Sequence, residues 1–251
     1  MLRQAASNGA IEVEAVLEYW PSLARGLFVT VWVAFCTISG AALGSIVLGP
    51  LRLSKRPAIR ITSMLFIEII RGPSALVWLF WVFYVLPLIP WVPRLSPITA
   101  SIIVLSLLGA AYGAEIVRGG IESIHRGQTD ACHALGLSKI QSLTKVVLPQ
   151  ALSQIVPAFG SLARDMVRWT SIVSFVGVQD LLYVANNVRS QTFETATVFC
   201  LLAALYWILC LICAASFQAI ERALPLNRAL RAVHLRGQGV PAAEALAGVP
   251  Q

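Results

Sequence analysis

Two long stretches of the chain contain no charged residue at all. Residues 26–51 and residues 195–220 hold no Asp, Glu, Lys or Arg. A helix needs about 20 apolar residues to cross the hydrocarbon core of a bilayer, so each stretch is long enough to span a membrane. Lipid offers the backbone no hydrogen bonds, and a spanning segment must therefore satisfy its own backbone groups, as a helix does. The two stretches predict membrane-spanning helices.

The composition agrees with a membrane protein of one domain. Of the 251 residues, 57% are hydrophobic and only 12% are charged, whereas soluble domains carry about a quarter charged residues. The net charge is +7, but the basic residues lie at the ends of apolar runs instead of forming one stripe, so no nucleic acid is expected as a partner. The five cysteines show no Cys-x-x-Cys or Cys/His ligand spacing, which supports neither a disulfide framework nor a metal site.

Five spans account for the apolar sequence, and they predict an all-α polytopic membrane protein. They cover about residues 26–51, 61–86, 98–120, a fourth segment from Pro149 to about Tyr183, and 195–220. Proline, glycine and charged residues interrupt the fourth segment, so we expect that span to be a broken helix. Small residues along the first span predict a helix-packing face: Gly40, Ala41, Gly44, Ser45 and Gly49.

The basic residues predict the orientation of these spans in a bacterial inner membrane. Twelve of them fall on one side of a five-span topology: Arg52, Lys55, Arg56, Arg60, Arg118, Arg126, Lys139, Lys145, Arg222, Arg228, Arg231 and Arg236. Four fall on the other side: Arg3, Arg25, Arg94 and Arg189. Because cytoplasmic loops carry an excess of Lys and Arg, we expect the N-terminus outside and the C-terminus in the cytoplasm.

This topology divides the chain into three parts. We expect residues 1–24 to form an interfacial segment on the outer, periplasmic side. Residues 25–221 should form the membrane domain. Residues 222–251, which are rich in Ala, Gly and Pro, should form a disordered cytoplasmic tail.

The most polar internal stretch, residues 127–149, is called the polar island below. Thr129 is a candidate cap for a first short helix, which would place Asp130 in its first turn. Gly136 suits the left-handed position that ends a helix. Ser138 and Gln141 have capping-box spacing for a second helix, which should end or kink at Pro149. An amphipathic hairpin lying on the membrane is the alternative interpretation of these signals.

The spacing within the polar island resembles the EAA loop of ABC-importer permeases. That loop carries an acidic residue and Ala, a Gly a few residues later, and a distal Leu-Pro. The flanking sequence is similar to the polar amino-acid uptake branch of these permeases, and the resemblance extends from roughly Arg25 to Glu221. Asp130 replaces the usual Glu, and Cys132 replaces the second Ala. The residues that match the loop or flank it within the island are Thr129, Asp130, Ala131, Cys132, Ala134, Gly136, Leu148 and Pro149.

The resemblance implies a function for this region and a set of partners. Residues 121–149 would form the cytoplasmic coupling loop that docks on an ABC ATPase dimer. A second permease chain, identical or different, and an external solute-binding protein would complete the importer. The chain contains no G-x-x-x-x-G-K-[ST] phosphate loop, so ATP and Mg²⁺ are expected on the ATPase and no cofactor on this chain.

Charged and polar residues within the spans are the candidates for a substrate path: Glu68, Arg71, Tyr112, Glu115, Arg164, Asp165, Arg168, Trp169, Thr170 and Ser171. A charge at the bilayer centre costs about 2.5–3.5 kcal/mol on insertion scales, so such groups pair or face a cavity. Glu68 and Arg71 are spaced to neutralise each other, as are Asp165 and Arg168. Such structural pairing is the alternative to a role in the path.

Two departures from the family pattern bear on the cargo. Trp169 stands where the family usually has an acidic residue. Leu108-Gly109 stands where it commonly has Asn-Glu, near the expected translocation path. These changes favour a zwitterionic or modified amino-acid derivative over an ordinary cationic or acidic amino acid, unless the partner permease supplies the specific contacts. An ion-coupled secondary transporter and a membrane scaffold without transport activity remain as alternative functions.

Overall fold

The computed structural model describes residues 18–224, and in this part of the chain every regular element is helical. The expected disordered tail beyond Leu224 and most of the expected interfacial segment before Glu18 lie outside the described residues. The elements are α1 (Trp20–Arg52), α2 (Pro57–Arg71), α3 (Ala75–Phe80), α4 (Pro97–Glu122), α5 (Arg126–Ala134), α6 (Lys139–Ser142), α7 (Leu148–Trp169), α8 (Leu181–Thr192) and α9 (Thr195–Ala223). The predicted all-α class is confirmed.

Four helical segments are long and apolar enough to cross a membrane: Trp20–Arg52, Pro97–Glu122, Leu143–Val176 and Thr195–Ala223. A fifth span is supplied by α2 together with Ala75–Leu88, a pair of helices bent by 93°. The second helix of this pair contains α3, a π-helical turn at Trp81–Val85 and a 3-10 turn at Leu86–Leu88. By length and composition, the structure therefore provides four spans, or the five that the sequence predicts if the bent pair counts as one span.

The second span is bent sharply, which we did not expect. α2 ends at Arg71, and Ser74 then caps α3 by accepting a hydrogen bond from the Val77 N–H at 3.4 Å. Pro73 lies between the two helices, where it has no N–H to donate to a continuing helix. In the fourth span, by contrast, α7 passes through Pro157 without interruption.

The fourth segment, Pro149 to about Tyr183, is broken as predicted, but the break lies at Gly177 and not at Pro157. A 3-10 segment, Thr170–Val176, follows α7 and stops at Gly177, whose φ of 85° is left-handed. The polar residues 186–191 that follow belong to α8. The buried Asp180 caps α8 by accepting a hydrogen bond from the Tyr183 N–H at 3.0 Å.

Helices α1 and α4 pack side by side in parallel through small residues. Gly40 faces Ser106, Gly44 faces Ala110, and Gly49 faces Val117. A Cβ atom added at Gly44 would lie 2.5 Å from the Ala110 Cβ, which leaves no room for any side chain. The predicted packing face of the first span is thereby confirmed, and it brings the C-terminal ends of α1 and α4 together next to the polar island.

Helix α7 returns antiparallel along α4, and α9 packs along α7. Successive contacts of Gly120 with Ile155, Gly113 with Phe159 and Gly109 with Met166 mark the first pairing. Gly160 against Phe217 marks the second. The C-terminal ends of α1, α4 and α9 and the start of α7 therefore lie at one end of the bundle, which we call the island end.

The packing corrects one expectation about the translocation path. Leu108 is only 4% exposed, and a Cβ at Gly109 would meet the Met166 side chain at 2.6 Å and the Ala41 Cβ at 2.7 Å. Both positions lie inside helix packing. Their apolar and small character is explained by close contact between α1, α4 and α7, and not by the chemistry of a cargo.

Candidate functional sites

The first helix of the polar island begins four residues earlier than the sequence predicted. His125 is its cap, because the His125 Nδ1 atom accepts a hydrogen bond from the Gly127 N–H at 3.1 Å. The prediction that Thr129 caps this helix is wrong, since Thr129 lies within α5. Asp130 consequently lies in the middle of α5, where it is exposed to solvent.

The glycine turn is confirmed in detail. Gly136 has a φ of 73°, which an L-residue adopts only with strain. The Leu137 N–H donates to the Cys132 carbonyl and the Gly136 N–H to the His133 carbonyl, both at 3.0 Å. This pair of bonds is the Schellman motif, which satisfies the last carbonyl groups of a helix. The turn therefore fixes the direction in which the chain leaves α5.

The predicted capping box is also present. The Ser138 N–H donates to Gln141 Oε1 at 3.0 Å, and the Gln141 N–H donates to Ser138 Oγ at 3.3 Å. Each side chain thus satisfies a backbone donor at the start of α6. The turn and the second helix are locked together by local bonds alone.

Pro149 does not end or kink the second helix. A π-helical turn, Leu143–Val147, follows α6 and leads directly into α7, in which Pro149 occupies the first turn. Proline is tolerated in a first helical turn because the N–H that it lacks would have little use there. The polar island is thus continuous with the fourth span.

The exposed residues of the island include small and apolar groups beside polar ones such as Asp130 and His133. Cys132 is buried, with 4% of its surface exposed, whereas Ala131, Ala134 and Gly136 are exposed. Leu135 is 79% exposed. A single exposed apolar side chain is common on protein surfaces and does not by itself mark a contact site. Sequence reasoning did not single out Leu135, although its position directly before the turn glycine was visible.

An ion-pair cluster joins α1 to α4 at the island end. The Glu115 carboxylate accepts hydrogen bonds from Arg52 Nε and from Arg118 Nε, each at 2.8 Å, and Arg118 also pairs with Glu122. Both oxygens of Glu115 are therefore engaged within the chain. This candidate for the substrate path serves as a link between two spans, and its partner Arg52 was not among the predicted site residues.

The predicted pair of Glu68 and Arg71 is not formed. Glu68 is exposed, and the ion pairs among residues 18–224 include neither side chain. Arg71, at the last position of α2, instead places its guanidinium carbon 4.6 Å from the centre of the Tyr112 ring. The Tyr112 ring in turn lies 5.8 Å from the ring of Trp169. Three spans meet in this group, which we call the arginine–aromatic cluster (Arg71, Tyr112, Trp169).

The other polar candidates lie on α7 and its 3-10 extension. Arg168 pairs with Asp165 at 2.9 Å, as predicted, and both side chains are more than half exposed. Arg164 donates to Ser161 at 2.9 Å. The hydroxyl groups of Thr170 and Ser171 donate to the carbonyl groups of Val167 and Arg168. An exposed ion pair within a membrane span does not face lipid, so this side of α7 faces water or another protein.

A bundle of spans with an ordered polar loop at one end is compatible with the membrane subunit of a transport complex. Residues 40–224 match the sequence profile of the binding-protein-dependent transport system inner membrane component. This chain belongs to that family. It is a multi-pass permease subunit of the inner membrane and, within an ABC importer, the part that transports solute.

Individual relatives support the assignment. The chain is 36% identical to y4tF, a probable amino-acid ABC transporter permease protein of Sinorhizobium fredii, in an alignment that covers 81% of this chain and 87% of y4tF. The chain is 28% identical to GlnP, the glutamine transport system permease protein of Escherichia coli, in an alignment that covers 82% of this chain and 96% of GlnP. A crystal structure of an amino acid ABC transporter with histidines superimposes with a TM-score of 0.76 at 28% identity, covering 83% of this chain and 96% of that one.

Proposed function

We propose that this chain, paired with a second permease, imports an amino acid or a zwitterionic amino-acid derivative that an external binding protein delivers. Family membership supports the transport role, and the relatives described above support the cargo class. Glutamine and histidine share an α-carboxylate and an α-ammonium group. An ion-coupled secondary transporter is disfavoured because the family operates with separate binding proteins. A scaffold is disfavoured by the continuity of the polar island with a span.

The observation that carries this proposal is the construction of the polar island. α5, the Schellman turn at Gly136 and the Ser138–Gln141 capping box are connected by local hydrogen bonds, backbone to backbone in the turn and side chain to backbone in the box. This unit projects from one end of the bundle and continues into α7. We propose that a groove on an ABC ATPase dimer receives its exposed surface. Closure of the ATPases on binding ATP and Mg²⁺ would then move α7, which changes the side of the membrane to which the path opens.

The same proposal fixes the orientation of the chain. The island end would face the cytoplasm, because the ATPase and its nucleotide are there. The positive-inside count favours the same assignment, with the N-terminus outside and the C-terminus in the cytoplasm. Reporter fusions after Ala223 test it: a cytoplasmic reporter should be active, and a reporter that functions only outside the cytoplasm should be silent.

The decisive experiment measures ATP hydrolysis by the complete importer in proteoliposomes, with its binding protein and a panel of amino-acid solutes. Stimulation by one solute is expected for the natural sequence. Gly136→Val should abolish the stimulation, because a β-branched residue does not adopt a φ of 73°. Gly119→Val is the matched control, since no atom lies within 4 Å of a Cβ at Gly119 and its backbone is helical. Normal stimulation of a well-expressed Gly136→Val complex would contradict the coupling role.

A further inference from the structure

Arg71 carries a charge that nothing in the described chain neutralises. Its Nε atom is buried and has no hydrogen-bond partner among residues 18–224. No carboxylate of those residues forms an ion pair with it. Burying a charged donor without an acceptor is unfavourable, so the Arg71 Nε requires an acceptor that residues 18–224 do not supply.

The contacts that Arg71 does make hold the guanidinium in place without using its donors. The Tyr112 ring lies against it at 4.6 Å, and a ring face attracts a cation but offers no lone pair in the plane of the guanidinium. Trp169, at the end of α7, packs against the Tyr112 ring. A guanidinium fixed in this way presents a planar set of N–H donors, and the chemical group that matches them best is a carboxylate.

The place of Arg71 in the fold argues that this carboxylate comes from a transported solute. Arg71 lies at the 93° bend of the second span, where the helix ends beside α4 and the end of α7. Tyr112 and Trp169 are both partly buried and pack against the hydrophobic core, so the cluster is turned toward the bundle. Asp165 lies one helical turn before Trp169, which puts both on one face of α7. Asp165 is already paired with Arg168, so of these two charges it is Arg71 that lacks an ion-pair partner among residues 18–224.

We propose that Arg71 binds the carboxylate of the transported solute, with Tyr112 as the residue that positions the guanidinium. The inference rests on the proposed function, because it assumes a cargo that carries a carboxylate. It goes further in assigning that group to one side chain at a helix break. A bend in the span that holds the ligand allows the carboxylate to be released when α2 and α3 change their angle.

Substitution of Arg71 in the complete importer tests the assignment. The measured quantity is the concentration of L-glutamine or L-histidine that gives half-maximal uptake and half-maximal ATPase stimulation in proteoliposomes. Arg71→Met should raise this concentration about tenfold or more, as expected for the loss of a charged bidentate contact. Arg71→Lys should give an intermediate value, and Tyr112→Phe, which keeps the ring face, should change little. Arg94→Met is the control, because Arg94 is an exposed basic residue outside the cluster.

A second measurement separates binding of the carboxylate from a structural role. Radiolabelled glutamine or histidine bound to the detergent-purified importer, without binding protein, is displaced by the unlabelled amino acid or by its α-carboxamide. The natural sequence should favour the acid by at least tenfold, and Arg71→Met should favour neither. If Arg71→Met weakened both equally, or if the natural sequence did not distinguish acid from amide, the assignment would be overturned.

The two proposals fail in distinguishable ways. Uptake and stimulation that are present in the natural sequence and unchanged in Arg71→Met would overturn the assignment of Arg71 and leave the importer function intact. Absence of stimulation by every solute, in a complex whose assembly gel filtration has verified, would overturn the proposed function and with it the inference.

Discussion

Arg52 and Glu115 join the ends of two parallel spans at the island end, with Arg52 Nε 2.8 Å from Glu115 Oε1. Both side chains are mostly shielded, at 13% and 19% exposure. The other oxygen of Glu115 accepts from Arg118 at 2.8 Å. The small-residue contact of α1 with α4 therefore ends in a group of ion pairs next to the start of the polar island. We call this group (Arg52, Glu115, Arg118) the clasp.

Replacing Glu115 with Gln should destabilise the importer. The change removes the charge that two shielded arginines share, and breaking a partly buried pair of this kind leaves uncompensated charge. We expect a loss of about 1–3 kcal/mol, measured as a lower thermal midpoint in detergent. Glu122→Gln is the control, because the Glu122 side chain is 52% exposed. Equal effects of the two substitutions would contradict the role of the clasp.

Part of the structure at the island end could be predicted from the sequence, because that part depends on hydrogen bonds between residues close together in the chain. The Gly136 turn and the Ser138–Gln141 box involve residues at most five positions apart, and their chemistry specifies them. The His125 cap is equally local, but histidine is not among the usual capping residues, so Thr129 was preferred. The clasp was not predicted, because it joins residues 63 positions apart.

The bend in the second span shows that a proline in apolar sequence does not by itself tell where a helix breaks. Pro157 and Pro73 are both prolines within apolar sequence. Only Pro73 separates two helices, since it follows Gly72 and precedes a serine that caps the next helix. Pro157 is carried inside α7, which is held on both sides by α4 and α9. Tertiary packing decides which proline breaks a span, and a single sequence does not reveal that packing.

Substitution of Leu135 should weaken ATPase docking without weakening the fold. Leu135 is 79% exposed at the Schellman turn, so truncation to Ala removes little that the chain itself uses. If this side chain contacts the ATPase, Leu135→Ala should lower ATPase retention on the immobilised permease severalfold. Leu88→Ala is the matched control, since Leu88 is 78% exposed but lies in the turn before α4, away from the island. Unchanged retention would exclude Leu135 from the docking surface.

The close contact of α1 and α4 predicts a rescue experiment. Gly44→Ala should destabilise the protein by about 1–3 kcal/mol, because overpacking forces neighbouring atoms apart and the new Cβ would lie 2.5 Å from that of Ala110. Ala110→Gly in the same chain should restore part of the loss, since it removes the opposing methyl group. The thermal midpoints of the two single variants and the double variant measure the coupling. Additive losses would contradict direct contact.

The capping box predicts a local effect at the start of α6. Ser138→Ala removes the hydroxyl that accepts from the Gln141 N–H, and loss of such a cap costs about 1 kcal/mol. Hydrogen exchange at residues 139–142 should therefore become about fivefold faster. Ser153→Ala is the control, because the Ser153 hydroxyl donates to the Gln150 carbonyl inside α7 and caps nothing. Since the box connects α6 to the Gly136 turn, Ser138→Ala should also lower solute-stimulated ATP hydrolysis. Faster exchange with unchanged hydrolysis would show that the stability of α6 does not affect coupling.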